Sequence, residues 1–89
     1  MKKWGRKRIE KELLSRDISS YNIKQGLSEI EEEEYQHTLL ELAEKKYQQT
    51  TENHSLRKRK KVADFLLRKG FESQKIYAVL LDLENGNQS

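Results

Sequence analysis

Two clusters of basic side chains are the residues in this sequence that could do chemistry. The first lies within residues 2–11, and the second is a run of five consecutive lysines and arginines at residues 57–61. Such side chains offer mobile positive donors to phosphates or to acidic protein surfaces at a low desolvation cost. We therefore expect binding to an anionic partner. The candidate contact residues are Arg6, Lys7, Arg8, Arg57, Lys58, Arg59, Lys60, Lys61 and Arg68.

A solvated helix surface is the alternative interpretation of the same clusters. Successive residues of an α helix are about 100° apart, so a run of five bases points in every direction and only about two or three can face one partner. The aromatic side chains add little to a nucleic-acid interpretation. Tyr35, Tyr47, Phe65 and Phe71 fall on apolar helical stripes, where core packing is the usual role.

The remaining titratable residues do not form a catalytic or metal-binding pattern. The chain has no cysteine, and His37 and His54 are 17 residues apart, outside the usual ligand spacings for zinc. The glutamates at residues 31–34 suit the positive end of a helix dipole, and neighbouring helical side chains point in different directions. No nucleophile lies beside a base, and no glycine-rich phosphate loop is present. We therefore predict that the protein is not an enzyme and uses no metal or cofactor.

The composition limits the fold to one small helical domain. The chain has 89 residues, a formal net charge of +3, no proline and only four glycines, and its common residues are good helix formers. No apolar run approaches the ~18 residues that a membrane span requires, and the N-terminus lacks the apolar stretch of a secretory signal. The prediction is an all-α, cytoplasmic, monomeric protein without a membrane segment.

The hydrophobic periodicity predicts about five helices. The first covers residues 6–16 and is followed by a short second helix. An acidic third helix covers residues 31–49, and the fourth covers residues 56–69 and ends at Gly70 in a left-handed conformation. Residues 85–89 are predicted to form a flexible tail. The residues expected to cap the second, fourth and fifth helices are Ser20, Ser55 and Ser73.

The sequence repeats itself at an offset of 53 residues. Within residues 6–31, 8 of the 26 positions are identical to those of residues 59–84, and the similar positions include the basic cluster, the apolar stripe and the turn. Because a pair of helices cannot bury its apolar stripe alone, the two units are expected to stack through the acidic helix between them. Two similar basic helices on two similar units would suit a repeating, negatively charged partner.

Two motifs in these units resemble the RecX family, whose members regulate the RecA recombinase. Residues 5–18, GRKRIEKELLSRDI, resemble the signature of the family's second repeat, and residues 59–71, RKKVADFLLRKGF, followed by Ile76, resemble that of the third. The resemblance covers nearly all of the chain and implies tandem three-helix repeats.

The same resemblance implies how the chain is divided. Residues 1–30 are part of the second repeat, residues 31–84 are a complete third repeat, and together they form one compact domain. The first repeat and the opening helix of the second have no counterpart here. The chain is therefore interpreted as either a C-terminal fragment or a natural short form.

The resemblance also implies a non-enzymatic regulator in homologous recombination, DNA repair and the SOS response. Such a protein lies along the RecA–DNA filament and dampens strand exchange and ATP hydrolysis. Its partners would be the RecA filament and, weakly and without sequence preference, single-stranded or double-stranded DNA, contacted through the basic helices at residues 6–11 and 57–68. A DNA-binding helical module without a recombinase partner is the first alternative. A structural helical domain whose basic runs keep it soluble is the second.

Overall fold

The computed structural model describes residues 3–86, and all of the regular secondary structure in that range is helical. The helices are α1 (Arg6–Ser15), α2 (Ser20–Ser28), α3 (Glu32–Gln49), α4 (Ser55–Arg68) and α5 (Ser73–Gly86). The prediction of an all-α chain with five helices is confirmed. Helix α5 is longer than predicted, since it includes Asn85 and Gly86, and its last turns still pack on the core through Leu83. Residues 87–89 of the predicted tail lie outside the described range.

Each predicted serine cap is wrong by one residue. Ser19, not Ser20, is the N-cap of α2, and its side-chain oxygen accepts a hydrogen bond of 3.2 Å from the Asn22 N–H. Ser55 and Ser73 are the first residues of α4 and α5, not the residues that precede them. The apolar periodicity does not distinguish a cap from the first helical position, because neither has to face the core.

Helices α3, α4 and α5 pack on one another and enclose the hydrophobic core. On α3, Tyr35, Leu39 and Ala43 are spaced four residues apart and form one buried stripe. Burial of this apolar surface, more than helix propensity, holds together a bundle of helices this short. The side chains with 0% exposed surface are Leu39, Ala43, Val62, Leu66, Phe71, Ile76 and Leu80.

The turn after α1 has the same backbone hydrogen bonds as the turn after α4. In each turn the N–H of a left-handed residue bonds the carbonyl three residues before it, and the next N–H bonds the carbonyl five residues before it. The left-handed residues are Asp17, with φ 59°, and Gly70, with φ 94°, which align at the offset of 53. This pattern is a Schellman motif. The repeat in the sequence therefore has a counterpart in the backbone geometry, and the predicted conformation of Gly70 is confirmed.

The molecule is elongated, with extents of 45 × 23 × 20 Å and a radius of gyration of 14.6 Å. A compact chain of this length would have a radius of gyration of about 12 Å. The difference arises because the α1–α2 hairpin packs mainly on itself, and no residue of either helix belongs to the buried cluster of the bundle. The way in which α1 is attached to the bundle therefore decides where its basic residues lie.

Candidate functional site

The start of α1 is seated on the turn that ends α4. The Gly5 N–H donates to the Lys69 carbonyl at 2.7 Å, and the Lys7 N–H donates to the Gly70 carbonyl at 3.0 Å. A Cβ added at Gly5 would lie 2.2 Å from the carbonyl carbon of Gly70, and one added at Gly70 would lie 2.4 Å from the backbone nitrogen of Arg8. The close approach of the two segments therefore requires glycine at both positions. This contact fixes the basic start of α1 relative to the end of α4.

Arg6 belongs to this junction and not to the open surface. Its guanidinium bonds Glu32 at 2.6 Å and Glu72 at 3.3 Å, and it lies 4.0 Å from the centre of the Tyr35 ring. The Arg6 backbone N–H donates to the Tyr35 hydroxyl at 2.9 Å, and that hydroxyl donates to Glu72 at 2.5 Å. Lys75 also donates to Glu32, at 2.5 Å. The charge of Arg6 is thereby compensated by carboxylates of the protein itself.

The ionisation of the network follows from the same contacts. Hydrogen bonds from Lys75 and Arg6 lower the pKa of Glu32 to about 2. Burial alone would raise the pKa of Glu72, but hydrogen bonds from Tyr35 and Arg6 lower it overall. Burial, together with the hydrogen bond to Glu72, raises the pKa of the Tyr35 hydroxyl. At neutral pH both carboxylates are therefore ionised and Tyr35 remains a donor.

A basic cleft of 650 Å³ lies between α1 and the end of α4. Lys7, Arg8 and Lys11 line it from α1, Arg68 lines it from α4, and Glu12 is the single acid among the lining residues. Lys7 and Lys11 are four residues apart, so both side chains lie on the same face of α1. Among residues 3–86, no salt bridge involves any of these four cations. The cleft thus gathers four cations that no carboxylate of the described residues pairs with, although the Arg8 guanidinium lies 4.4 Å from the centre of the Trp4 ring.

Arg59, the counterpart of Arg6 in the repeat, is also held by an internal carboxylate. Its guanidinium makes two hydrogen bonds to Glu84, at 2.8 and 2.6 Å. The hydrogen bonds from Arg59 lower the pKa of Glu84, which is therefore ionised at neutral pH. Arg6 and Arg59 each join two helices of the protein, so their identity in the two units does not by itself indicate a shared binding surface.

The rest of the run at residues 57–61 is distributed around α4 and does not form one basic surface. The Lys58 ammonium lies 3.9 Å from the centre of the Tyr47 ring on α3. Lys60 and Lys61 approach carboxylates at 3.7 and 3.4 Å in exposed pairs of the kind that contribute little to stability. Arg57 is exposed. These residues remain candidates for contact, but the fold does not gather them.

The structure therefore brings together only part of the set that the sequence proposes. Lys7, Arg8 and Arg68 meet in the basic cleft. Lys11 also lines the cleft, although it is not one of the nine candidate contact residues that the sequence analysis names. Its spacing of four residues from Lys7 is the signal that could have identified it. The position of Arg68 beside α1 could not be found in this way, because the two segments are about 60 residues apart in the sequence.

The described part of the chain holds neither a metal cluster nor a membrane span. No group of three or more histidine or acidic side chains between residues 3 and 86 is placed to hold a metal ion. His37 lies 3.5 Å from Glu41 on the same helix, and His54 immediately precedes α4. In the same range, no helix combines the length and the apolar character that crossing a membrane requires.

Comparison with known proteins identifies the bundle of α3, α4 and α5. The family model described as the third three-helix domain of RecX matches residues 32–80, which is more than half of the chain. The matched range begins at the first residue of α3 and ends within α5. No curated protein and no solved structure matches the chain. The matched range contains the motif at residues 59–71 and confirms the resemblance that it indicates, whereas the motif at residues 5–18 lies outside the match; the chain belongs to the RecX family.

Proposed function

We propose that this chain regulates the RecA recombinase by binding the RecA–DNA filament through its basic helices. Membership of the RecX family, which is regulatory and not catalytic, supports a regulatory role. The observation that carries the contact surface is the basic cleft, where two helices place four cations around one acid. In this proposal the chain acts in the cytoplasm as a monomer and uses no cofactor.

The basic cleft suits an extended polyanion better than a small anionic ligand. The N–H groups at Gly5 and Lys7 already donate to carbonyls at the end of α4, so the start of α1 does not present them to an anion. Contact is left to lysine and arginine side chains, which adapt to phosphates or carboxylates but do not read a base sequence. The proposed binding is therefore independent of sequence.

The strength of the DNA contribution can be estimated from the number of cations. If about four phosphates of single-stranded DNA are neutralised, the logarithm of the binding constant falls with the logarithm of salt concentration with a slope of about −2.8. This corresponds to a loss of about fifty-fold between about 50 and 200 mM salt. DNA alone would therefore hold the protein weakly, and RecA contacts would have to supply the remaining affinity.

The test is ATP hydrolysis by RecA assembled on single-stranded DNA. The full chain at micromolar concentration is expected to lower the rate of hydrolysis. The double variant Lys7→Glu/Arg68→Glu should need at least about ten times more protein for the same inhibition, because two attractive contacts become repulsive. Lys24→Glu/Lys45→Glu makes the same change of charge at exposed positions outside the cleft and should inhibit like the unmodified chain.

Absence of inhibition by the unmodified chain would contradict the proposal. Equal loss of inhibition in both double variants would show that net charge matters and that the basic cleft does not.

A DNA-binding helical module without a recombinase partner is the second candidate function, and the cleft also favours it. Binding to single-stranded DNA at low salt, followed by fluorescence anisotropy, separates the two functions. If DNA affinity depends on Lys7 and Arg68 but RecA activity never changes, the second function is correct. If Lys7→Glu/Arg68→Glu alters neither DNA affinity nor RecA activity, the basic residues serve solubility.

A further inference from the structure

The basic cleft is built from two walls that meet at the junction between α1 and the end of α4. Lys7, Arg8 and Lys11 stand on one wall, and Arg68 stands on the other. The walls belong to different helices, and α1 packs mainly on α2 and not on α4. The separation of the walls, and with it the convergence of the four cations, is therefore set by the way in which α1 is seated.

Arg6 is next to Lys7 in the sequence but lies outside the lining of the cleft. Because successive helical residues are about 100° apart, its side chain leaves α1 in a different direction and reaches Glu72 at 3.3 Å. Glu72 comes two residues after Gly70, whose carbonyl accepts the Lys7 N–H. The ion pair therefore joins α1 to the same turn on which it is seated, from a side that the cleft does not use.

Tyr35 holds both members of this ion pair. Its hydroxyl accepts from the Arg6 backbone N–H at 2.9 Å and donates to Glu72 at 2.5 Å, and its ring lies 4.0 Å from the Arg6 guanidinium. The ring is itself fixed, because Tyr35 is 5% exposed and packs on Phe71 with 5.4 Å between the ring centres. Three elements thus meet at Arg6: the start of α1, helix α3 and the segment between α4 and α5.

We propose that Arg6, Tyr35 and Glu72 are positioning residues for the basic cleft, and that they hold its two walls at the separation at which both engage one polyanion. They do not contact the polyanion themselves. The inference rests on the proposed function, because it concerns the same cleft, and it adds that the cleft binds fully only while α1 is seated. By linkage, an anion that bridges the two walls stabilises the seat in turn.

Glu72→Gln separates positioning from the effect of charge, because the two predict opposite signs. The substitution makes the net charge more positive, so charge alone predicts tighter binding to a polyanion. Positioning predicts weaker binding, since Arg6 loses its charged partner beside the turn and α1 is seated for less of the time. The affinity for oligothymidylate at low salt, measured by fluorescence anisotropy, should fall at least about three-fold.

Glu44→Gln is the matched control. It makes the same change of charge at an exposed position on α3, away from both the cleft and the network around Arg6. Its affinity should equal or slightly exceed that of the unmodified chain. Tyr35→Phe is a second variant of the network that leaves the charge unchanged and keeps the ring that packs on Phe71. It should weaken binding in the same direction as Glu72→Gln.

Arg68→Gln shows whether the loss arises from separation of the two walls. In the unmodified chain this substitution should weaken binding about three-fold and reduce the salt slope from about −2.8 to about −2.1, because one of about four phosphate contacts is lost. In the Glu72→Gln background it should weaken binding by less than about 1.5-fold, since Arg68 no longer faces the cations of α1. A role of Glu72 in stability alone would leave the two effects additive.

Hydrogen exchange measures the linkage from the side of the seat. With oligothymidylate at about ten times its Kd, exchange of the α1 amides in the unmodified chain should slow about ten-fold, because the unseated state lacks the bridged site. Exchange in α3 to α5 should slow less, since these helices keep their core whether or not α1 is seated. Equal slowing in all five helices, or no slowing in α1, would contradict the linkage.

The outcomes distinguish the positioning role from the proposed function. Binding by Glu72→Gln that is as tight as that of the unmodified chain, or additive effects of Glu72→Gln and Arg68→Gln, would overturn the positioning role. The proposed function would survive either result if Lys7→Glu/Arg68→Glu still weakens binding. No binding of oligothymidylate by the unmodified chain would overturn the inference and, if RecA is not inhibited either, the proposed function as well.

Discussion

Gly5→Ala tests whether the seating of α1 on the end of α4 holds the α1–α2 hairpin in place. The added Cβ would lie 2.2 Å from the Gly70 carbonyl carbon, and because that atom belongs to the backbone, α1 itself must move away. The hydrogen bonds donated by Gly5 and Lys7 to the end of α4 would then break, at a cost of about 1 kcal/mol each. Loss of the cation–π contact between Arg6 and Tyr35 would add a further ~1 kcal/mol. The hairpin should therefore be destabilised by about 2 to 4 kcal/mol.

The effect should be confined to the hairpin. Helices of 10 and 9 residues are not stable alone in water, so α1 and α2 depend on this attachment. The buried cluster of the bundle contains no residue of either helix, so α3, α4 and α5 keep their core. Native-state hydrogen exchange measures this directly. Exchange of the amides in α1 and α2 should become about 30 to 1,000 times faster, and exchange in α3 to α5 should not change.

Gly26→Ala is the matched control, because it adds the same methyl group to α2 where no atom lies within 4 Å. Exchange in α1 and α2 should not become faster in this variant. Unchanged exchange of the hairpin in Gly5→Ala would refute the reasoning, since it would mean that the contact does not hold α1. Equal acceleration in all five helices would also refute it, because the hairpin and the bundle would then unfold as one unit.

Three further predictions concern the stability of the folded chain. Gly26→Ala should raise the free energy of unfolding in urea by about 0.5 to 1 kcal/mol, because alanine favours a helix and meets no obstacle here; a decrease would contradict the open position of this residue. Leu66→Ala should lower the same free energy by about 2 to 5 kcal/mol and Leu13→Ala by less than half as much, because Leu66 is 0% exposed and Leu13 is only partly buried; equal losses would contradict this difference. The lowered pKa of Glu32 contributes stability above its ordinary pKa of 4.5, and this contribution is lost as the pH falls through about 2. The melting temperature should therefore fall more steeply over this range in the unmodified chain than in Glu32→Gln, and parallel curves would be inconsistent with the pairing.

Local rules account for the parts of the fold that could be predicted from the sequence. The apolar stripe of α3 has a period close to that of a helix, and Gly70 follows the last apolar position of α4, where a left-handed residue ends a helix. The sequence does not place the N-cap of α2 to the residue, because Ser19 and Ser20 are adjacent and either could begin the helix. Such errors of one residue do not alter which side chains face the core.

The candidate site was less predictable because it depends on contacts between distant segments. The pairing of Arg6 with Glu72 joins residues that are 66 positions apart, and no local pattern distinguishes an arginine in such a pair from one at the surface. The repeat predicts a shared binding function for Arg6 and Arg59, which are identical in both units, but each of them pairs with a carboxylate of the protein itself. The meeting of Lys7 with Arg68 required knowledge of how α1 is seated on the end of α4.

The two equivalent turns have a consequence for how such units can be joined. Gly70 accepts the start of α1 only because it has no Cβ, whereas Asp17, at the equivalent position of the first unit, carries one. A helix could not approach Asp17 as closely as α1 approaches Gly70 without a steric clash. The end of α4 can therefore seat the start of a helix at this distance, whereas the end of α1 cannot.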